Sequence, residues 1–516
     1  MVPRVDSPQV WLDRVLAASD PWTVAATGPL PPGLVGVVED RFPGTEQRRL
    51  LAWLLGRSGE DGARALARLL ETASGLDARD LLATLARIGP AQANPATVRR
   101  LLADPEAGRV AADLAGLSGD RSFVPDLVPL LGDRERRGNA AIALGRLHAR
   151  EHTERIARRL RRLKGLERQA FVVALELMGD PTAVPKLLRG RLDGDAHHAL
   201  VHLTGRSPLV ENLRDPAAIR AAWRSVDVTE PAQPDLRDVQ VGATDAKFTI
   251  EDGLGRILLD DDPPTPGSLW PRWGRSLLVA GTPVYNLGSS CGTCELTMRL
   301  TGWPPESAVE SSARLRDRLA DLPRLDADLI DAARPLLVAM PTGHYRAFLL
   351  DLDMERVSDP DTSWWHRRTL RRDDSDYDTD DELDEPYWPG AEHFQLRDTI
   401  PGSPPAYCVV MPSRSPELLR DERVAEHAAA IAAGARPAAL LWGWVDDRWV
   451  QAEHHERFLV AVVLDGHHKL TAYARAGVPA RAVLLSRSED NWGPPEDRDR
   501  YLIDVTTPLR TAASAS

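Results

Sequence analysis

Asp465, Gly466, His467, His468 and Lys469 stand together directly after the apolar run 458–464. The Asp465 carboxylate could hold Mg²⁺ or take a proton from an acceptor hydroxyl. His467 and His468 could donate to phosphate oxygens, and Lys469 adds a point charge. A helical pattern follows to Gly477, Val478 and Pro479, and a second apolar run ends at Leu485. Periodicity and punctuation predict strand, sharp turn, helix and strand. A turn of this kind delivers polar groups to an open helix N-terminus, whose free N–H groups suit phosphate. Glu453, His454, His455 and Glu456 are expected to reach the same mouth from the preceding connection, and Glu417 is a looser candidate for an acidic catalytic residue. The plainer alternative is that Asp465 caps the helix and His467 packs inside.

Cys291 and Cys294 form the second chemical signal, a Cys-x-x-Cys between a strand-like run and an expected helix. The pair could run thiol redox chemistry or supply half of a zinc site, with Cys408 and a histidine such as His344 completing it. It could equally be two small residues that let a turn close. Ser289, Ser290 and Gly292 could form an anion nest at the same helix start. His197, His198 and His202 cluster earlier, with His198 and His202 one helical turn apart. That spacing suits a metal pair, but the sequence offers no evident third ligand, so packing or capping is the expected role.

The elements that carry these residues belong to a long chain. At 516 residues it exceeds a single core, and two to four domains are expected. A composition of 43% hydrophobic and 27% charged residues is that of a globular protein, and the net charge of −12 argues against general nucleic-acid binding. Neither a secretion signal nor a membrane span is evident, so no membrane partner is expected. Three cysteines do not make a disulfide framework, so the cytoplasm is the expected setting.

After a helical lead-in at 1–40, the span 41–226 is periodic. Leu51, Leu82, Leu114, Leu144, Leu175 and Leu200 recur at steps of 31, 32, 30, 31 and 25 residues, each with an apolar partner three positions on. Turn signals and second helical stretches follow them, one helix pair per step, the signature of an α-solenoid. The turn phrases Gly119-Asp-Arg-Ser-Phe-Val-Pro125 and Gly179-Asp-Pro-Thr-Ala-Val-Pro185 resemble short bacterial HEAT repeats. That resemblance implies a scaffold for a protein partner. Within it, 134–168 holds twelve Arg or Lys against four Glu, which is either a surface for an acidic partner or a solvated outer face.

Residues 227–240 read as a linker. The span 241–405 is rich in Trp and Pro, with Trp270, Trp273 and Trp303 expected at the edge of an α/β region. It carries an acidic insertion, 373–385, with nine acids in thirteen residues. The insertion lacks the glycine and ligand order of a calcium loop and could dock against 134–168.

From Ala406 a strand, a loop and helix to Gly434, a strand from Pro437 to Trp444, a hairpin turn at Asp446, Asp447 and Arg448, and further strands are expected, with 491–516 as a tail. The order from Ala432 through the Asp-Gly-His-His-Lys turn to the Ala-Gly-Val-Pro turn resembles the ParB/sulfiredoxin-like fold over about residues 408–488. In motif it is nearest to free serine kinases of the ParB fold and the DUF1015 proteins. The resemblance implies a phosphate or hydroxyl-activating site at Asp465, Gly466, His467, His468 and Lys469. His467 stands where sulfiredoxins carry their catalytic cysteine, which argues against sulfinic-acid reduction. The expected fold class is therefore multidomain: an N-terminal all-α solenoid of HEAT-like repeats and a C-terminal α+β domain with a ParB/sulfiredoxin-like core at 406–490. The expected function is a scaffold fused to a domain binding a nucleotide with Mg²⁺ or a phosphorylated ligand, with phosphotransfer as its chemistry. The alternatives are a non-enzymatic adaptor and a Zn²⁺ or thiol protein centred on the cysteine pair.

Overall fold

The computed structural model describes residues 7–19, 21–26, 29–43, 45–266, 268, 270–289, 296–305, 311–365, 388–450, 454–493 and 496–510. The N-terminal part is helical and the C-terminal part is built on mixed β-sheet. Among the described residues, fifteen α-helices run from Pro8–Leu16 to Pro216–Arg224, and no helix among those residues is long and apolar enough to cross a membrane.

Helices Arg48–Arg57, Gly75–Ile88, Gly108–Leu117, Arg137–Arg146, Gly165–Met178 and Gly194–Thr204 stack, each on the next. The six recurring leucines lie on these helices and are all fully buried. Close approach is set by missing side chains. A Cβ on Gly116 would come within 2.7 Å of Ala143 Cα, and one on Gly145 within 2.7 Å of the Ala174 carbonyl oxygen. Arginines tie each step to its neighbour by donating to carbonyls at helix ends, which have no partner inside their own helix. Arg57 donates to Ala25, Arg100 to Leu70, Arg136 to Leu102, Arg159 to Leu131 and Arg220 to Gly190. Much of the basic stretch 134–168 is used this way. Arg137, Arg146 and Arg168 also pair with Glu167, Asp113 and Asp193.

Strands β1 (Asp235–Val241), β2 (Asp245–Leu254), β7 (Pro341–Leu352), β8 (Met354–Val357), β9 (His393–Leu396), β10 (Ala406–Met411), β11 (Ala439–Val450), β12 (His454–Asp465) and β13 (Ala480–Arg487) form one sheet. Their order is β1-β2-β7-β13-β11-β12-β10-β9-β8, with the pairs β10/β12 and β11/β13 parallel. Strands β3 (Ile257–Asp261), β4 (Gly274–Val279), β5 (Thr282–Ser289) and β6 (Arg299–Leu300) form a second sheet in that order. The large sheet is covered on both faces, which is why β12 reads as an unbroken apolar run. Val460, Val462 and Leu464 face one core; Leu459, Ala461 and Val463 face the other, with Leu470 and Tyr473 of helix His467–Ala476.

The chain is divided differently from its sequence texture. Strand β1 begins inside 227–240, and β7 from the 241–405 span lies between β2 and β13, so the spans 241–405 and 406–490 share one sheet. The tail contributes helix Arg498–Thr506, which buries Leu502 and Val505. No hairpin turn forms at Asp446, Asp447 and Arg448, because β11 runs through them. Their charges are satisfied inside: Arg448 pairs with Asp446, and Arg457 and His455 with Asp447. The helix expected after the Cys291–Cys294 pair is also absent from 296–302. Leu296 and Met298 are buried in alternation, and β6 pairs with β5.

Candidate functional site

Strands β10 and β12 run parallel, Ala406 opposite Arg457 through Met411 opposite Val462, so their carboxyl ends open on the same edge of the sheet. Carboxyl ends of neighbouring strands are where open α/β sheets hold ligands. Gly466 makes the turn there. Its φ is 104°, and a Cβ would come within 2.9 Å of Ala439 Cα, so the position admits only glycine without a shift of backbone. Helix His467–Ala476 begins immediately, and its Gly466 cap makes no side-chain capping bond. Ser7, Asn94, Asp193 and Asp215 each accept from a first-turn N–H of their helices, whereas Gly33, Ser58 and Ser74, like Gly466, make no such bond. The helix start is thus left to water or a ligand.

It faces a cleft of about 110 Å³ whose walls include Arg414, Ser415, Leu419, Asp465, His467 and His468. Arg356 and Glu392, paired with each other, line it as well. His467 Nε2 accepts from the Ser413 N–H at 3.1 Å, and His468 Nε2 accepts from the Arg420 N–H at 3.0 Å. A ring nitrogen that accepts carries no proton, so both rings are neutral with the proton on Nδ1. Burial, then Arg414, holds His467 down to about 3. Burial, then Arg420 and Arg423, lowers His468. The two rings fasten the loop 413–420 to the helix start. They do not offer Nε2–H to phosphate, as the sequence suggests; Nδ1–H is the donor left.

Lys469 is likewise committed. Its Nζ lies 2.9 Å from the Ala438 carbonyl and 3.1 Å from Asp465 Oδ2, with the side chain buried. A lysine at the fifth position of the motif turns back one helical turn onto the aspartate instead of pointing into the cleft. Asp465 therefore does not cap the helix, and its charge is already matched. Positive potential at the mouth comes from the helix end and from Arg414, Arg420 and Arg423, whose charges act on the two histidines.

The remaining sequence candidates lie elsewhere. Glu417 is exposed on the short turn Pro416–Leu418 and does not line the cleft. His455 sits at the far end of β12, ten residues from Asp465, which at ~3.3 Å per residue is ~33 Å away. Its Nε2 is 2.9 Å from Asp447, and its ring stacks on Trp449. Glu456, next to it, cannot reach the cleft either; Glu453 and the His454 side chain lie outside the described residues. Cys291 and Cys294 lie outside them too. Their expected partners are not neighbours: His344 is on β7 and Cys408 on β10, four strands apart, or ~19 Å at ~4.8 Å per strand. Cys408 sits in an apolar core that pushes its thiol up to about 12, while His344 Nδ1 is 2.9 Å from Glu489. One tetrahedral zinc cannot take both. His197 accepts from Trp223 Nε1–H, and His198 and His202 meet acids at the junction of the helical part with the sheets.

The sequence reading missed Ser413 and Arg414. Their signal was a polar Ser-Arg-Ser directly after strand β10, which sheet topology brings beside the Gly466 turn. None of the family models scanned, and none of the curated proteins searched, matches this chain.

Proposed function

We propose that the cleft at the carboxyl ends of β10 and β12 binds a phosphate-bearing ligand, with a nucleotide as the class implied by the likeness of this strand order to the ParB/sulfiredoxin-like fold. The observation that carries the reading is the helix start at Gly466, free of a side-chain cap and facing an arginine-lined cleft. The helical stack, with its step of about thirty residues, supports a HEAT-like scaffold for a protein partner. A groove of about 950 Å³ lined by Arg158, Arg161, Arg162 and Lys164 suits an acidic one.

Binding without chemistry is the form of the proposal that the geometry favours over phosphotransfer. Asp465 is held by Lys469, and both histidine Nε2 atoms are held by backbone N–H groups, so the motif's reactive groups are engaged in fastening the site. Thermal melts with ATP, GTP, CTP, each with and without Mg²⁺, and inorganic phosphate test it. A nucleotide-dependent rise in Tm, lost in Arg414→Ala and Gly466→Ala, is expected. No shift with any of them defeats the proposal, and hydrolysis or transfer of a phosphoryl group would restore the enzymatic form.

A further inference from the structure

The helical part meets the second sheet through a cluster that the strand-end cleft does not use. His198 and His202, on helix Gly194–Thr204, lie side by side with ring centroids 4.5 Å apart. His198 Nε2 is 2.6 Å from Asp260 Oδ1, and His202 Nε2 is 3.3 Å from Asp260 Oδ2. Asp260 is on β3, sixty-two residues from His198, so this meeting is tertiary. Behind His198, its Nδ1 is 3.1 Å from Glu176 Oε2, and Glu176 is in turn held by Arg272.

We propose that His198 and His202, with the carboxylate of Asp260, form a divalent transition-metal site of the Zn²⁺ class that staples the helical part to the sheets, with Glu176 orienting His198 from behind. Three observations carry this. The donor set, two imidazoles and a carboxylate that touches both, is one Zn²⁺ takes, and the group is compact: ligand atoms of His198, His202 and the neighbouring Glu176 all lie within 4.8 Å of one another. The arrangement around His198 has the form of an oriented metal ligand, because one ring nitrogen is gripped by a carboxylate while the other points at the convergence of Asp260 and His202. The charges also ask for a cation. Glu176, Asp195, Asp260 and Asp261 gather around the single guanidinium of Arg272 and the two imidazoles. Asp260 and Glu176 are nearly buried, whereas the His202 side chain is 40% exposed and leaves a route in from solvent.

Co²⁺ titration of the chelator-treated 516-residue chain, followed by absorbance, tests the assignment. One Co²⁺ per chain with weak d–d bands and no thiolate charge-transfer band is expected, and Zn²⁺ should displace it and raise Tm. His202→Ala should lower the affinity at least tenfold. His202→Cys should keep the metal and add the charge-transfer band, a gain of signal that a misfolded variant does not give. Absence of binding, unchanged affinity in His202→Ala, or a charge-transfer band in the unmutated protein, which would place the metal on cysteine, each overturns the proposal.

Discussion

Two pairs of histidines in this chain look alike as sequence and differ in what faces them. His467 and His468 open a helix beneath backbone N–H donors, and there each Nε2 accepts. His198 and His202 face carboxylate acceptors, Asp260 and Glu176. Burial acts against the charged ring at both His467 and His198. At His467 nothing outweighs it, and the ring stays down at about 3. At His198 the bonds to Asp260 and Glu176 outweigh it and raise the ring to about 9. The lesson is that a histidine motif reports a site, while the polarity of its neighbours decides whether the ring is a neutral clamp or a cation's equivalent.

The largest effect that separates the two pairs is expected at Arg272. Its side chain is 9% exposed and balances Glu176, Asp195 and Asp261. Arg272→Ala leaves those acids uncompensated and should cost about 3–5 kcal/mol in urea unfolding. A cost below about 1 kcal/mol would show that the junction does not depend on this charge balance.

His467→Ala removes the acceptor of the Ser413 N–H and should cost about 1–3 kcal/mol, with His467→Gln recovering part of it. The pH dependence of stability sharpens this. The folded ring is depressed to about 3 from an ordinary 6.5, so the unfolded chain takes the proton first. Its contribution is present above pH 6.5 and is lost as pH falls toward 3, by up to about 1.4 kcal/mol per pH unit. Arg414 holds the ring down further, Asp465 acts the other way, and His468 adds to the lowering. His467→Gln should flatten that acid limb in pH-dependent unfolding. His197 and His393, lowered by burial to about 4, contribute to the same limb, as do His427, His468 and the lowered carboxyl of Glu176. An unchanged limb would mean that His467 is charged in the fold.

The smallest effect is expected at Glu417, exposed and outside the cleft. Glu417→Ala should leave stability within about 0.5 kcal/mol and leave any nucleotide-dependent Tm shift unchanged. A lost shift would bring the Glu417 carboxylate into the ligand site, beside Pro416 and Leu418, which already line the cleft.

Periodicity carried much of the fold in the sequence. The leucine step located the inner helices because helix stacking buries one face per repeat, and Leu51 through Leu200 fill it. The strand–turn–helix at Asp465 was legible because only glycine suits its backbone. Asp446, Asp447 and Arg448 misled, since charged residues signal a turn unless partners from other strands neutralise them, as Arg457 does here.

What the sequence by itself determined was local: which segments are helix or strand, and where a polar turn interrupts them. Tertiary structure alone decided which way the polar groups point. Lys469 turns inward because Ala438 and Asp465 receive it, and His198 meets Asp260 because β3 is brought against the helical stack. Spacing along the chain fixes the face of an element, whereas the partner of a charge is set by what packs opposite, often a hundred residues away.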